Sequence, residues 1–322
     1  MGETLVIGGT GAMGRRIVHR ILDAPDNTVA VLTRDPRSAR ARALLDHGGD
    51  RIRMLEGNLD DPESVAAAVS DVEQVFCNTD FFTTASVLGE YRQGITVLEA
   101  ARAAGVERFI WSSLDNAVVL TAGRNPVPHY DAKAAVAAHI GLLRSEEMMR
   151  QQEDGWYSEH VSILTTSPYF ENLPARLVPQ PETLPDGRSG LVFTLPLGTG
   201  KYPLIALDDI AWFADFLFRH WQSWGGRDLA VTADSLTGDE IAATFERVTG
   251  TPCGYRPMPL EVLRSARPEV GHDYAAMFRF FQERDVLGQD RDIALLNRIH
   301  PGLMTFEKWL RATGWDGTAR SW

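Results

Sequence analysis

Residues Leu5-Val6-Ile7-Gly8-Gly9-Thr10-Gly11-Ala12-Met13-Gly14, followed by Arg15-Arg16-Ile17-Val18, decide the fold. The apolar run reads as a buried strand, the glycines as a tight turn, and the resumed apolar pattern as the start of a helix. Gly8, Gly11 and Gly14 are spaced G-x-x-G-x-x-G. The first lets the chain turn, the second lets backbone N–H groups approach a pyrophosphate, and the third lets helix and strand pack closely. The helix also aims its free N–H groups and positive dipole end at that anion, so no lysine is needed to hold it. Gly8, Thr10, Gly11, Met13 and Gly14 are therefore candidate cofactor-binding residues.

The 322 residues are 44% hydrophobic and 23% charged, as in a soluble globular protein. A net charge of -11 argues against a nucleic-acid surface, which needs clustered Lys and Arg. The two cysteines, Cys77 and Cys253, have no metal-ligand spacing with any histidine, and Cys77 lies in an apolar run, as a small buried hydrophobe would. No metal site is expected. No apolar stretch reaches membrane-spanning length, and the glycine turn begins where a signal peptide would lie; a cytoplasmic protein is expected.

Strands then alternate with helices. Thr28–Thr33, Arg51–Glu56, Val72–Cys77 and Val106–Ser113 read as strands, with a long helix from about Thr84 to Ala104 before the last of them. Five such alternations mean an α/β fold, a Rossmann-type doubly wound parallel sheet with right-handed crossovers. Arg34 follows the second strand, about where such a fold reads the adenosine ribose. An acid there would accept from a free 2′-hydroxyl, whereas an arginine suits a 2′-phosphate. Arg34, with Arg37 and Arg15, points to NADP(H) over NAD, although Asp35 stands next to it and a solvated loop arginine has the same signature. Asn58 and Leu59, and Asn78 and Thr79, fall at strand C-terminal ends, where open α/β sheets bind ligands. Asn78 and Thr79 either bond the cofactor or cap their loop.

From about Asp131 a further helix begins, and His129 and Lys133 are one turn apart, both able to project toward the cofactor crevice. Beyond it, Val161–Leu164 reads as a strand. A proline-punctuated stretch up to Pro203 covers a site or packs a second lobe, and a helix from about Ile210 to Trp224 carries a broad apolar face. Two domains are expected: residues 1–160, binding cofactor, and a smaller α/β C-terminal lobe, residues 161–322, with some elements returning to the first.

The glycine turn, Thr33-Arg34, Gly57-Asn58-Leu59-Asp60 and Arg108-Phe109-Ile110-Trp111-Ser112-Ser113 resemble the atypical short-chain dehydrogenase/reductases. His129-Tyr130-Asp131-Ala132-Lys133 resembles the His-Phe-Asp-x-Lys segment of their NmrA-like branch, and Tyr169-Phe170-Glu171-Asn172-Leu173 its Phe-Glu-Asn-Leu element. The resemblance implies an NADP(H) site to which Lys133, Tyr169 and Asn172 also contribute.

Ordinary short-chain dehydrogenases use a Tyr-x-x-x-Lys pair, the tyrosine as general acid/base. Here His129 stands in the tyrosine's place, and Tyr130 is three residues before Lys133, about 100° around the helix. The sensor-type members of the branch lack the pair too. Two expectations follow. One is a cofactor sensor acting through a protein partner or a homodimer. The other is an NADPH-dependent reductase of a small aromatic, quinone, imine or carbonyl substrate, with Lys133, His129 and Tyr130 as catalytic candidates. Its substrate wall would be Phe81, Phe82, Tyr169 and Phe170.

Overall fold

The computed structural model describes residues 2–266 and 269–321. The chain divides into two compact units, the first comprising Met1–Asn116, Pro128–Thr165 and Ile210–Leu229.

The first unit is organised on a seven-stranded sheet of β1 (Thr4–Ile7), β2 (Val29–Thr33), β3 (Ile52–Glu56), β4 (Gln74–Cys77), β5 (Arg108–Ser113), β6 (Val161–Thr165) and β7 (Asp228–Ala230). Their order is β7-β6-β5-β4-β1-β2-β3. All five pairings among β1 to β6 are parallel, so the doubly wound α/β expectation holds. β1 lies between β2 and β4, with Ile7 opposite Leu32 on one side and Cys77 on the other. The chain builds outward through β2 and β3 and then returns to β4 across β1. This reversal of strand order places a crevice at the C-terminal ends of β1 and β4.

The helices are α1 (Ala12–Leu22), α2 (Ala39–Gly48), α3 (Pro62–Val69), α4 (Phe81–Thr84), α5 (Val87–Ala103), α6 (Ala117–Leu120) and α7 (Pro128–Met149); α6 belongs to the second unit. Leu5, Ile7, Val75, Phe109 and Trp111 from the sheet meet Val65, Val97, Leu98, Val136 and Ile140 from α3, α5 and α7 in one apolar core. Two helix readings need correction. The long helix expected from Thr84 begins at Val87, because Ala85 adopts a left-handed conformation (φ 46°) that closes α4 and lets Ser86 cap α5. The helix expected at Ile210–Trp224 is Leu207–Arg219 followed, after His220, by a separate turn, Trp221–Trp224.

The second unit comprises Ala117–Val127, Thr166–Asp209 and Ala230–Trp322. It holds a three-stranded sheet centred on Ser189–Phe193 and a two-stranded one pairing Tyr202–Leu204 with Asp234–Leu236. Thr237 and Glu240 form a reciprocal capping box at the start of helix Gly238–Thr249.

Candidate functional site

The glycine turn is built for close approach. Gly8 has φ +77°, and a Cβ on it would collide with the Asn78 carbonyl oxygen. A Cβ on Gly14 would stand 2.6 Å from the Gly8 carbonyl carbon and 2.7 Å from the Gly9 Cα; on Gly11 it would stand 3.1 Å from the Gly8 oxygen. The Gly11 N–H donates to the Gly8 carbonyl across the turn. Helix α1 has Gly11 as its N-cap, with no side-chain cap and no acid in its first turn. Its leading N–H groups are thus left for an external acceptor, the cradle a pyrophosphate requires. Met13 faces the other way: it is buried, with its sulfur 3.6 Å from the Ser112 hydroxyl. Only its backbone is available to a ligand, whereas Thr10 is partly exposed.

Arg34, Arg37 and Arg40 are exposed beyond β2, and Arg15 is partly exposed on α1. Burial and the nearby charges of Arg16 and Arg40 hold the Arg15 guanidinium below its usual range. Among the described residues, Arg15, Arg34, Arg37 and Arg40 have no ion-pair partner. Asp35, the acid that competes with Arg34 in a reading of the sequence, accepts a hydrogen bond from the Arg37 N–H at 2.9 Å, committing one carboxylate oxygen to its own loop. Residues 34–40 thus carry three arginines against one acid, Asp35, and Arg15 lies near Arg40.

At the end of β3, the Asn58 side-chain oxygen accepts from the Asp60 N–H, and Leu59 packs on the core. Asn58 therefore shapes its loop, and Leu59 anchors it.

Across β1, Lys133 reaches from α7 to the segment after β4. Its ammonium lies 3.2 Å from Asn78 Oδ1, 2.8 Å from the Thr79 carbonyl, 3.0 Å from Thr79 Oγ1 and 3.1 Å from Glu90 Oε1. Thr79 Oγ1 in turn donates to Glu90 Oε1 at 2.6 Å. Lys133 is only 8% exposed, Glu90 is fully buried, and the ammonium sits 5.6 Å from the Trp111 ring centroid. The Trp111 indole N–H donates to the Lys133 carbonyl, fixing α7 against β5. Cys77 lies alongside, and burial pushes its thiol up to about 12.

The helix begins at Pro128, ahead of the expected start, so His129 and Lys133 do share a helical turn. The His129 ring lies 5.3 Å from that of Phe82, 6.1 Å from Phe81 and 4.8 Å from Tyr130. Phe82 is 40% exposed, and Tyr130 is buried.

Tyr169 and Asn172 belong to the second unit, where Tyr169 bridges to Ile205 and Asn172 opens the short helix Asn172–Arg176. Phe170, expected in a substrate wall, is fully buried, its ring 5.6 Å from those of Phe306 and Trp309. It is core, because its place beside a polar Glu-Asn pair in sequence does not show which way the ring turns. Glu171 accepts from the Leu207 N–H and the Trp309 indole, and burial raises its carboxyl above the usual range.

Sequence reasoning missed Glu90. The signal was its position: Glu90, Gln93, Gly94, Val97, Leu98 and Ala101 form the buried stripe of α5, so an acid occupies a core position.

The sheet order, glycine cradle and crevice define a dinucleotide-binding fold of the Rossmann class. More narrowly, the chain belongs to the NmrA-like family, which matches residues 2–310. It is similar to the NmrA-like family domain-containing oxidoreductase FrzB of Cladobotryum sp. Identity is 26% over 263 residues, covering 79% of this chain and 75% of the relative. It is also similar to an NAD(P)H azoreductase of Xenophilus azovorans, 27% identical over 269 residues, 83% of this chain and 81% of the other. Among solved structures it resembles NmrA, a negative transcriptional regulator, in complex with NADP. The TM-score is 0.71 at 18% identity, with 98% of each chain covered.

Proposed function

We propose that this chain binds NADP(H) in its first unit and acts through that binding, as a cofactor-responsive regulator, without turning over a substrate. The glycine cradle and the uncapped start of α1 suit the pyrophosphate, with Gly8, Thr10, Gly11, Met13 and Gly14 lining it. Arg34, aided by Arg15, Arg37 and Arg40, supplies charge for the 2′-phosphate. Asn78, Thr79 and Lys133 form the wall on the other side of β1.

The observation that carries the regulatory reading is the state of Lys133. An ammonium has three N–H groups, and four protein acceptors surround this one. It is committed to holding the Asn78–Thr79 segment and has no N–H left for a substrate. The tyrosine of a Tyr-x-x-x-Lys pair is absent, and Tyr130 is buried. Cofactor binding then acts by differential affinity for conformations of the glycine turn and its neighbours, read by a protein partner or a second copy of the chain.

The aromatic cluster of Phe81, Phe82 and His129, with Phe82 exposed, favours a second reading. In this reading the chain is an NADPH-dependent reductase, with the rings as wall for a flat substrate and His129 as proton donor. Bound NADPH would supply the hydride. The two readings separate in one assay of NADPH consumption against quinones, imines, ketones and azo dyes. The regulator binds NADPH and consumes none. Steady consumption that is lost in His129→Ala and Lys133→Ala establishes the reductase instead.

A further inference from the structure

Glu90 lies inside α5, fully buried, on a helix face that it shares with Gln93, Gly94, Val97 and Leu98. Gly94, one turn further on, explains how it reaches Lys133. A Cβ there would stand 2.7 Å from Val136 Cγ2 and 2.9 Å from the Trp111 ring, so the missing side chain lets α5 settle against α7 and β5.

The carboxylate is expensive where it stands. Oε1 takes both the Lys133 ammonium and the Thr79 hydroxyl, while Oε2 is buried with no hydrogen-bond partner among the described residues. A buried ion pair is commonly no more stabilising than two apolar side chains of the same size. Stability alone does not explain a half-satisfied carboxylate in the core, but position does. Three of the four acceptors around Lys133 belong to Asn78 and Thr79, and Asn78 packs its carbonyl against Gly8. A chain of contacts runs from Glu90 through Lys133 to the segment after β4 and on to the glycine turn.

We infer that Glu90 is a positioning residue of the cofactor site, the counter-charge that fixes Lys133 and so holds Asn78–Thr79 in the shape that receives the nicotinamide half of NADP(H). This rests on the cofactor reading above. The strand order assigns the halves. The pyrophosphate sits at β1, the 2′-phosphate side lies beyond β2 at Arg34, and the nicotinamide side lies beyond β4. Glu90 acts on the second side only.

That asymmetry gives the test. Dissociation constants are measured by titration calorimetry for NADPH and for 2′,5′-ADP, which lacks the nicotinamide half, in the wild-type chain, Glu90→Gln, Lys133→Gln and the double variant. Wild type binds both ligands. Glu90→Gln weakens NADPH by about tenfold or more and leaves 2′,5′-ADP within about twofold, and the double variant is no weaker than the weaker single, because the pair acts as a unit. Where Glu90→Gln does not fold, Glu90→Asp, which keeps the charge but draws it back, carries the same comparison, with a smaller loss confined to NADPH. Unchanged NADPH affinity overturns the inference, as does an equal loss for both ligands, the mark of a merely structural pair. A wild-type chain that binds neither ligand overturns the cofactor reading itself.

Discussion

A Cβ atom on Gly14 would stand 2.6 Å from the carbonyl carbon of Gly8, so the first and third glycines of the turn are locked together by the absence of a side chain. Gly14→Ala must push α1 away from the turn. The expected cost is about 1–3 kcal/mol of stability, as for other overpacked sites. Urea denaturation reads it, and NADPH titration is expected to show affinity lost with it. An alanine variant as stable as wild type would show that the helix has room to move.

Both thiols are protected. Burial pushes Cys77 and Cys253 up to about 12, so the reactive thiolate is scarce near neutral pH. The native chain is expected to resist a thiol reagent at about pH 8 and to react at both cysteines once denatured. Rapid labelling of Cys77 in the native state would show that the core beneath Lys133 opens.

Glu171 gives the chain a pH dependence. Its carboxyl is raised by burial, so the folded state binds the proton more tightly than the unfolded one. The stability this confers is fully present below the unfolded value and is lost as pH rises through the folded one. Glu171→Gln does not titrate. Its stability relative to wild type is therefore expected to improve as pH rises from about 4 to about 7, read by thermal unfolding. A difference that stays constant, or runs the other way, would show that the acceptor bonds from Leu207 and Trp309 outweigh the burial.

The parts of this molecule legible in its sequence are those where local pattern and tertiary role coincide. Gly8, Gly11 and Gly14 announce the turn by their spacing, a side chain at Gly8 or Gly14 having no room, and the alternation of apolar runs with helices announces the parallel sheet. The shared turn of His129 and Lys133 follows from spacing alone. Glu90 was hidden because an acid inside a helix reads as a solvated one; its partner is 43 positions away in the sequence, and only packing at Gly94 brings them together. Phe170 was misread for the converse reason: its neighbours look like a ligand loop, while its ring stacks in the core. The breaks at Ala85 and His220 depend on single backbone angles that neither residue type prescribes.

NADP(H) binding, with Arg34 reading the 2′-phosphate, is the proposal from which the others follow. The most direct measurement is a pair of titrations, NADPH and NADH, on wild type and on Arg34→Ala. Wild type is expected to prefer NADPH, and the alanine variant to lose about tenfold or more of that preference while NADH affinity holds, the worth of one charge-assisted pair. A wild-type chain that binds neither nucleotide would overturn the cofactor proposal, and a preference unchanged by Arg34→Ala would overturn the role of Arg34.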